Sequence, residues 1–496
     1  MKRDVSFANL PEAGKILGPV VALLVFYLLP AEYKEQTGKI IEFTTAGRAA
    51  AAIGILMAVW WMTEAISIYA TALLPLLLFP LTGVASAKAA AAPYGHHLIY
   101  LFLGGFIIAK SMERWNLHKR IALFALKYSG TKPAAIIGGF MGVTAFLSMW
   151  VSNTATTMMI LPIAISVVAL IEKKAGQENN FNAALLLGVA YSASIGGIGT
   201  LIGTPPNLFL ASFLKEQAGM EISFVRWMLV GVPLVLILLP VVWFVLTKIL
   251  FKTNNEKINF SGSVCAEEYK NLGSMSKGEW NTLIIFSVTA VLWIVRPLVN
   301  KITIAHVQPF SGLTDSGIAI FGALLLFLIP VSRKEKLYTM NWDTASKLPW
   351  GVLLLFGGGL SLASALQSNG VSLFIGTRVG TIGSLPVLII VGIVTAVMVL
   401  LTELTSNTAT TVTFVPVLYA ASTGLGLNPL LLTVPAAVSA SCAFMLPVAT
   451  PPNAIVFGSN KIKIGQMVRA GIWFNVLSII VITFFGYFLI IRILAL

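Results

Sequence analysis

Apolar residues run along this chain in stretches long enough to enter a lipid bilayer, separated by short polar intervals. The runs lie near 15–30, 47–62, 66–83, 97–110, 183–214, 227–250, 280–299, 316–331, 349–366, 430–457 and 470–493, which predicts about eleven transmembrane helices. Two further apolar pairs, 133–147 with 154–171 and 385–401 with 408–423, are each interrupted at the centre by Ser-Asn-Thr. Such a polar tip predicts a re-entrant helical hairpin, because irregular backbone at membrane depth persists only where protein or a water-filled cavity satisfies it. Two ordinary spans joined by a tight turn would leave the same trace, and that alternative stays open.

The interruptions are copies of one another. Ser152-Asn153-Thr154-Ala155-Thr156-Thr157 recurs as Ser406-Asn407-Thr408-Ala409-Thr410-Thr411, and each copy is followed by Thr-Pro-Pro-Asn, at Thr204 to Asn207 and at Thr450 to Asn453. A glycine cluster leads each copy, Leu103-Gly104-Gly105-Phe106 and Leu355-Phe356-Gly357-Gly358-Gly359. The chain is therefore two related halves, and paired polar breaks in hydrophobic segments are the pattern of a secondary transporter whose binding site lies at those breaks.

Composition agrees with an all-α polytopic membrane protein: the 496 residues are 57% hydrophobic and 10% charged, with mean hydropathy +0.89. With the N-terminus inside and both hairpins returning to their own side, most Lys and Arg fall on the cytoplasmic face, as the positive-inside rule requires. They include Lys110, Arg114, Lys119, Arg120, Lys252, Lys257, Lys270, Lys277, Arg333, Lys334, Lys336 and Lys347. A net charge of +14 then calls for anionic headgroups rather than nucleic acid. Ser111 to Lys127 alternates basic and apolar residues and reads either as a helix lying in the interface or as a plain loop helix. Cys265 in a polar loop and Cys442 in an apolar run offer no disulfide framework and no metal spacing. Lys2 and Arg3 precede a first apolar run of span length without a small-residue cleavage site, so that run is expected to be a retained helix.

Neither polar motif contains a lysine or arginine, so a ligand there meets hydroxyls, amides and backbone N–H groups. Such a set recognises carboxylates when helix N-termini aim at them. Ser, Asn and Thr are helix N-capping residues, and Ser152 to Thr154 and Ser406 to Thr408 are placed to begin the returning helices with side chains free for a ligand. Mere caps would not need two identical hexapeptides at matching positions. Pro205 with Pro206, and Pro451 with Pro452, remove N–H groups and must break their helices. Freed carbonyls in a membrane line a polar cavity or coordinate a cation, and Gly196, Gly197, Gly199 and Gly203 permit the close backbone approach that a cage requires. Oxygen ligands without clustered carboxylates suit sodium rather than calcium or magnesium. Glu403, three residues before Ser406, and Glu64 are each either a proton carrier or a buried structural partner, with the structural role favoured for Glu403 because the first half has no counterpart. His96, His97, His118 and His306 fall at segment ends and receive no catalytic role.

At these residues the chain resembles the divalent anion/sodium symporter family, the INDY-type dicarboxylate, citrate and sulfate carriers, from about Trp61 to Arg492. The stretches Phe146 to Thr154, Gly188 to Gly197 and Ser441 to Asn453 carry the likeness to its sodium-coupled bacterial dicarboxylate members. The resemblance implies an inverted-repeat elevator transporter, a homodimer with scaffold and transport parts in each protomer. It implies one sodium near Ser148, Ser152, Asn153 and Gly203 and a second near Thr402, Thr405, Asn407 and Ala449. The dicarboxylate would sit between them, on Ser152, Asn153, Thr154, Thr204, Ser406, Asn407, Thr408 and Thr450. Thr405 stands where a small residue giving only its carbonyl is expected, and Thr204 where serine is common. The parts expected are 1–96 scaffold, 97–226 first transport repeat, 227–348 scaffold of the second half and 349–496 second transport repeat.

The resulting expectation is a sodium-coupled symporter of the cell inner membrane importing C4-dicarboxylates such as succinate, malate and fumarate, with no organic cofactor. A dianion entering a negative-inside cell is opposed by about 2.3 kcal/mol per charge per 100 mV, so cotransported cations must reverse the sign. A cation-independent exchanger, or a citrate or sulfate carrier, would share the fold. A membrane enzyme would need a nucleophile with its base or a metal cluster, and the sequence offers neither.

Overall fold

The computed structural model describes residues 10–34, 39–128, 130–175, 179–253, 263–304, 306–380 and 385–494; Lys2, Arg3 and Lys257 lie outside the described residues. The first half comprises α1 (Leu10–Leu28), α2 (Thr45–Thr63), α3 (Ile68–Thr71), α4 (Leu74–Thr82), α5 (Ala87–Ala91), α6 (His97–Arg114), α7 (Leu117–Leu126), α8 (Pro133–Ser148), α9 (Asn153–Ala175), α10 (Asn179–Gly197), α11 (Pro205–Ala218) and α12 (Phe224–Phe244). The second comprises α13 (Ser263–Asn271), α14 (Lys277–Val299), α15 (Asp315–Leu328), α16 (Trp342–Ala345), α17 (Trp350–Ser368), α18 (Val371–Gly380), α19 (Val387–Thr402), α20 (Asn407–Gly424), α21 (Leu430–Ser439), α22 (Pro451–Phe457), α23 (Ile464–Phe485) and α24 (Ile491–Leu494). Two short antiparallel ribbons accompany them, β1 (Glu32–Lys34) with β2 (Ile40–Glu42) and β3 (Pro330–Ser332) with β4 (Leu337–Tyr338). Among the described residues, 7 helices are long and apolar enough to cross a membrane, and the shorter apolar helices include Pro133–Ser148, Asn153–Ala169 and Val387–Thr402 of the hairpins.

The repeat is visible in the element boundaries. Leu117, Pro133 and Asn153 begin α7, α8 and α9, and the residues 254 further along, Val371, Val387 and Asn407, begin α18, α19 and α20. Both broken helices are buried on all sides, with no exposed position from Phe181 to Thr204 or from Leu430 to Phe444. They therefore show no amphipathic period and read as continuous apolar sequence. The halves interlock at these cores: α11 packs on α20 and α21, while α22 packs on α9 and α10.

The glycine clusters set how closely helices approach. A Cβ at Gly104 would come within 2.6 Å of the Ala319 backbone on α15, and one at Gly358 would collide with the Ala72 carbonyl between α3 and α4. These are corresponding positions of α6 and α17, each laid against an element outside the hairpins.

Three local expectations change. The run 66–83 is two short helices, because Pro75 in the first turn of α4 offers no N–H to the turn before it. The freed region is closed from outside, with the Tyr94 hydroxyl donating to the Ala72 carbonyl at 2.5 Å. Ser111 to Lys127 is not one interfacial helix: α6 continues to Arg114, Asn116 turns the chain at φ +55°, and α7 follows. Arg120 does not face headgroups. It is buried and pairs with Glu279 (Nε to Oε1, 2.6 Å) while donating to the Gly273 carbonyl at 2.9 Å, which ties α7 to the start of α14. Cys265 is likewise buried, on α13 rather than in an open loop, and burial pushes its thiol up to about 11.

The close approach at Gly358 is testable. Gly358→Ala should lower the thermal unfolding midpoint of the purified protein, with a cost of about 1–3 kcal/mol from overpacking against backbone. Gly142→Ala, whose Cβ meets nothing within 4 Å, should leave the midpoint unchanged or slightly raised.

Candidate functional site

One cavity of about 940 Å³ gathers the doubled motifs. Ser152, Asn153, Thr154, Gly203 and Thr204 line it from the first half, and Thr405, Ser406, Asn407, Thr408, Ala449 and Thr450 from the second. Of the residues expected at the site, only Ser148 and Thr402 do not line it. Both are fully buried immediately behind the hairpin tips. Apolar walls come from Phe102, Phe106, Met158 and Val352, and charged residues Glu64, Lys110, Glu113 and Lys347 also border the space. Lys110 and Glu113 pair with each other at 2.6 Å.

The two hairpin tips have the same internal geometry. In the first, the Ser148 hydroxyl lies 2.5 Å from Asn153 Oδ1 and 2.7 Å from the Ala193 carbonyl. In the second, the Thr402 hydroxyl lies 2.8 Å from Asn407 Oδ1 and 2.7 Å from the Ala440 carbonyl. Each hydroxyl thus joins the asparagine of the tip to the end of the broken helix behind it. Thr405 turns its own hydroxyl into the hairpin, 2.8 Å from the Leu401 carbonyl and 2.6 Å from Thr410 Oγ1. Its carbonyl is what remains for a ligand, as with the small residue expected at that position.

The breaks are closed by the asparagine of Thr-Pro-Pro-Asn. Asn207 Nδ2 donates toward the carbonyls of Gly197 (3.0 Å), Ile198 (3.3 Å) and Thr200 (2.7 Å). Asn453 Nδ2 donates to Ala443 (3.2 Å) and Leu446 (3.1 Å). None of the glycines from Gly196 to Gly203 has a positive φ. Their use is close approach: a Cβ on Gly197 would lie 2.7 Å from Asn153 Oδ1 and 3.1 Å from the Gly203 carbonyl. Asn153 Oδ1 and the Gly203 carbonyl are thereby brought to one spot beside the first tip.

Helix starts surround the cavity. α9 begins at Asn153 and α20 at Asn407, while α11 and α22 begin with Pro-Pro. The proline starts offer no N–H in their first two positions, so free backbone donors come from the two hairpin tips. Ser152 accepts the Ala155 N–H at 3.3 Å, and Thr450 accepts the Asn453 N–H at 3.3 Å. Ser406 and Thr204 make no capping hydrogen bond, which leaves their hydroxyls for a ligand. Among the described residues there is no group of three or more His, Cys, Asp or Glu able to hold a metal ion. The oxygens that converge are neutral hydroxyl, amide and carbonyl groups, a donor set that fits a monovalent hard cation. Thr200 and Asn475 take part in holding these tips and breaks and were not singled out from sequence, while Asn207 and Asn453, noted there as the ends of the doubled Thr-Pro-Pro-Asn, were given no role of their own.

The chain matches the model of the sodium:sulfate symporter transmembrane region over residues 13–494. It is 42% identical over 484 residues, 96% of this chain and 91% of the relative, to a Staphylococcus saprophyticus protein described as sodium-dependent dicarboxylate transporter SdcS. A Staphylococcus aureus protein of the same description is 40% identical over 483 residues, again 96% of this chain and 91% of the relative. The fold is shared with the YdaH transporter of Alcanivorax borkumensis, at TM-score 0.59 and 13% identity over 98% of this chain and 99% of that one. It is shared too with MtrF of Neisseria gonorrhoeae, at TM-score 0.61 and 14% identity over 98% and 96%. The relatives are described as transporters and the matched family as symporters, not enzymes. Matched over nearly its whole length, this multi-pass membrane protein belongs to the sodium:sulfate symporter family.

Proposed function

We propose that the protein is a sodium-coupled symporter that imports C4-dicarboxylates across the cell inner membrane. The observation that carries this reading is the convergence of both Ser-Asn-Thr tips and both Thr-Pro-Pro-Asn breaks on one cavity. Two neutral oxygen cages, Ser148, Ser152, Asn153 and Gly203 on one side and Thr402, Thr405, Asn407 and Ala449 on the other, each hold a sodium ion. The substrate lies between them. Its carboxylates take hydroxyls and first-turn N–H groups from Ser152 to Thr154, Ser406 to Thr408, Thr204 and Thr450. Relatives described as sodium-dependent dicarboxylate transporters support both ligands.

The distribution of basic residues supports an N-terminus in the cytoplasm, and Lys110 and Lys347 at the border of the cavity support a mouth on that same side. The hairpins are re-entrant and move with the broken helices as a transport unit. The expected divisions near 97, 227 and 349 are kept with one change: α6 and α17, expected in the transport repeats, go to the scaffold, a reading supported by the packing of α6 on α15 and of α17 on α2 and α3. A homodimer holds the two scaffolds still while the transport units shift past them.

Proteoliposomes containing the purified protein should accumulate labelled succinate with an inward sodium gradient and fail to do so in its absence. Malate and fumarate should compete. Equal uptake with and without sodium would favour a cation-independent exchanger instead, and competition by citrate or sulfate alone would move the substrate class.

Asn153→Ala and Asn407→Ala each remove an oxygen shared by a cation cage and the substrate site. Both variants should purify as monodisperse protein and lose uptake by about a hundredfold or more, the order expected when a ligand-positioning group is removed. Wild-type uptake by either would sink the shared-oxygen assignment.

Motion of the first break past α6 can be trapped. A Cβ at Gly105 lies 3.6 Å from the Ile202 Cβ, a separation that suits a disulfide. With Cys265 and Cys442 replaced, the pair Gly105→Cys and Ile202→Cys should crosslink on oxidation, stop uptake, and recover with reductant. Uptake that persists through a verified crosslink would mean that α6 and the break travel together.

A further inference from the structure

Met149 and Glu403 occupy one place in the two halves, each the first residue beyond the leading helix of its hairpin. In the first half the tie from tip to break is neutral. The Thr200 hydroxyl donates to the Met149 carbonyl at 2.5 Å and accepts the Gly203 N–H at 3.1 Å. The position matching Thr200 in the second half is Leu446, since Asn207 and Asn453 bond those two carbonyls in turn. Leucine has no hydroxyl to make the tie. Glu403 makes it instead.

Its carboxylate reaches across to three successive backbone N–H groups. Oε1 accepts from Phe444 (2.6 Å) and Met445 (2.9 Å), and Oε2 from Met445 (3.1 Å) and Leu446 (3.1 Å). Asn475 Nδ2, on α23, adds a bond of 2.9 Å to Oε1. The side chain is buried, and every partner is a donor, so the group serves as an acceptor-only carboxylate. Consecutive N–H groups of this kind form a nest that stabilises an anion. The gripped stretch leads into the second cage, because the Leu446 carbonyl accepts the Ala449 N–H at 3.2 Å. On the other side, Thr402, the neighbour of Glu403 in the chain, holds Asn407 Oδ1.

We propose that Glu403 is a positioning residue for the second cation site. It shapes residues 444–449 so that the Ala449 carbonyl faces the ion, and it sets a fixed negative charge beside that site with none at the matching place in the first half. The two sodium ions are consequently bound unequally, the second site being the tighter. The inference rests on the sodium-coupled reading above.

The test uses purified full-length protein titrated with sodium against choline, without substrate, and reads the thermal unfolding midpoint. Glu403→Gln keeps the size of the side chain, removes the charge and turns a donor toward the N–H nest. Its half-saturating sodium should rise about tenfold or more, the scale of one unit charge a few ångströms from a partly buried ion. Glu403→Asp should fall between the variant and the wild type. In proteoliposomes the half-saturating sodium for uptake should rise in parallel, while the succinate KM at saturating sodium stays within about twofold, since the coupling acts through the ion. A merely structural role would lower the midpoint equally at every sodium concentration, and that result overturns the proposal.

Should Glu403→Gln not fold, Asn475→Leu removes one donor and leaves the charge and the backbone nest in place. A rise of about threefold in half-saturating sodium is then expected from one lost hydrogen bond to a charged group, and an unchanged value overturns the assignment. Wild-type protein stabilised by sodium but transporting without it would sink symport alone, with Glu403 still judged on the binding titration. Wild-type protein indifferent to sodium in both assays would overturn the two readings together.

Discussion

A polypeptide that leaves the helix inside a membrane must find partners for the carbonyls it releases, and two asparagine amides supply them here. Asn207 and Asn453 each directly follow a proline pair and turn back to the end of the helix that the prolines interrupted. Without those amides the carbonyls of Gly197, Thr200 and Ala443 would lack a partner in an apolar core, at a cost of several kcal/mol per group. With them, the breaks become fixed objects. Everything else at the site is placed by reference to these two loops: the hairpin tips through Ser148 and Thr402, and the helix starts through Thr204 and Thr450.

The duplication explains why the site is one cavity rather than two. Each break sits between its own hairpin and the opposite half, as the packing of α11 on α20 and of α22 on α9 shows. A ligand between the tips therefore touches both copies. Yet the copies are not equivalent. Thr200 ties one tip to its break with a hydroxyl and Glu403 ties the other with a carboxylate, so matching positions in the two halves are held in two electrostatic settings. A duplicated gene product can keep geometry by symmetry while its two halves diverge in charge.

The polar motifs were legible because they are repeated and because they violate the apolar composition around them. Ser152 to Thr154 and Thr204 stand out against their flanks, and their second copies remove the chance reading. The hairpins and broken helices followed from Ser-Asn-Thr and Pro-Pro by backbone chemistry alone. What stayed hidden depends on pairs distant in sequence. Arg120 looked like a headgroup ligand because its partner, Glu279, is 159 residues away. The role of Glu403 was open because its donors are backbone N–H groups, which every residue but proline carries and no side-chain pattern encodes. Pro75 was visible, but among leucines its single interruption did not separate α3 from α4. The hydroxyl of Thr405 could face a ligand or its own helix, and only the placement of Thr410 decides that it faces the helix.

The absence of Lys and Arg from the two motifs bears on coupling as well as on binding. A site with a fixed cation would hold a dicarboxylate whether or not sodium was present, and would release it poorly. Hydroxyls and first-turn N–H groups bind a dianion weakly on their own, because helix-terminus dipoles each contribute only about 0.3–1 kcal/mol at exposed sites. A sodium ion about 4 Å from a carboxylate adds about 4 kcal/mol of attraction at an effective dielectric of 20. On the proposed reading the cotransported ions supply the charge that the two motifs lack, and affinity for the anion would depend on sodium through the shared oxygens of Asn153 and Asn407. Dependence of that kind must run both ways, the anion strengthening sodium binding by the same factor. On that reading the neutral oxygens of the two motifs are what would allow one gradient to drive the other.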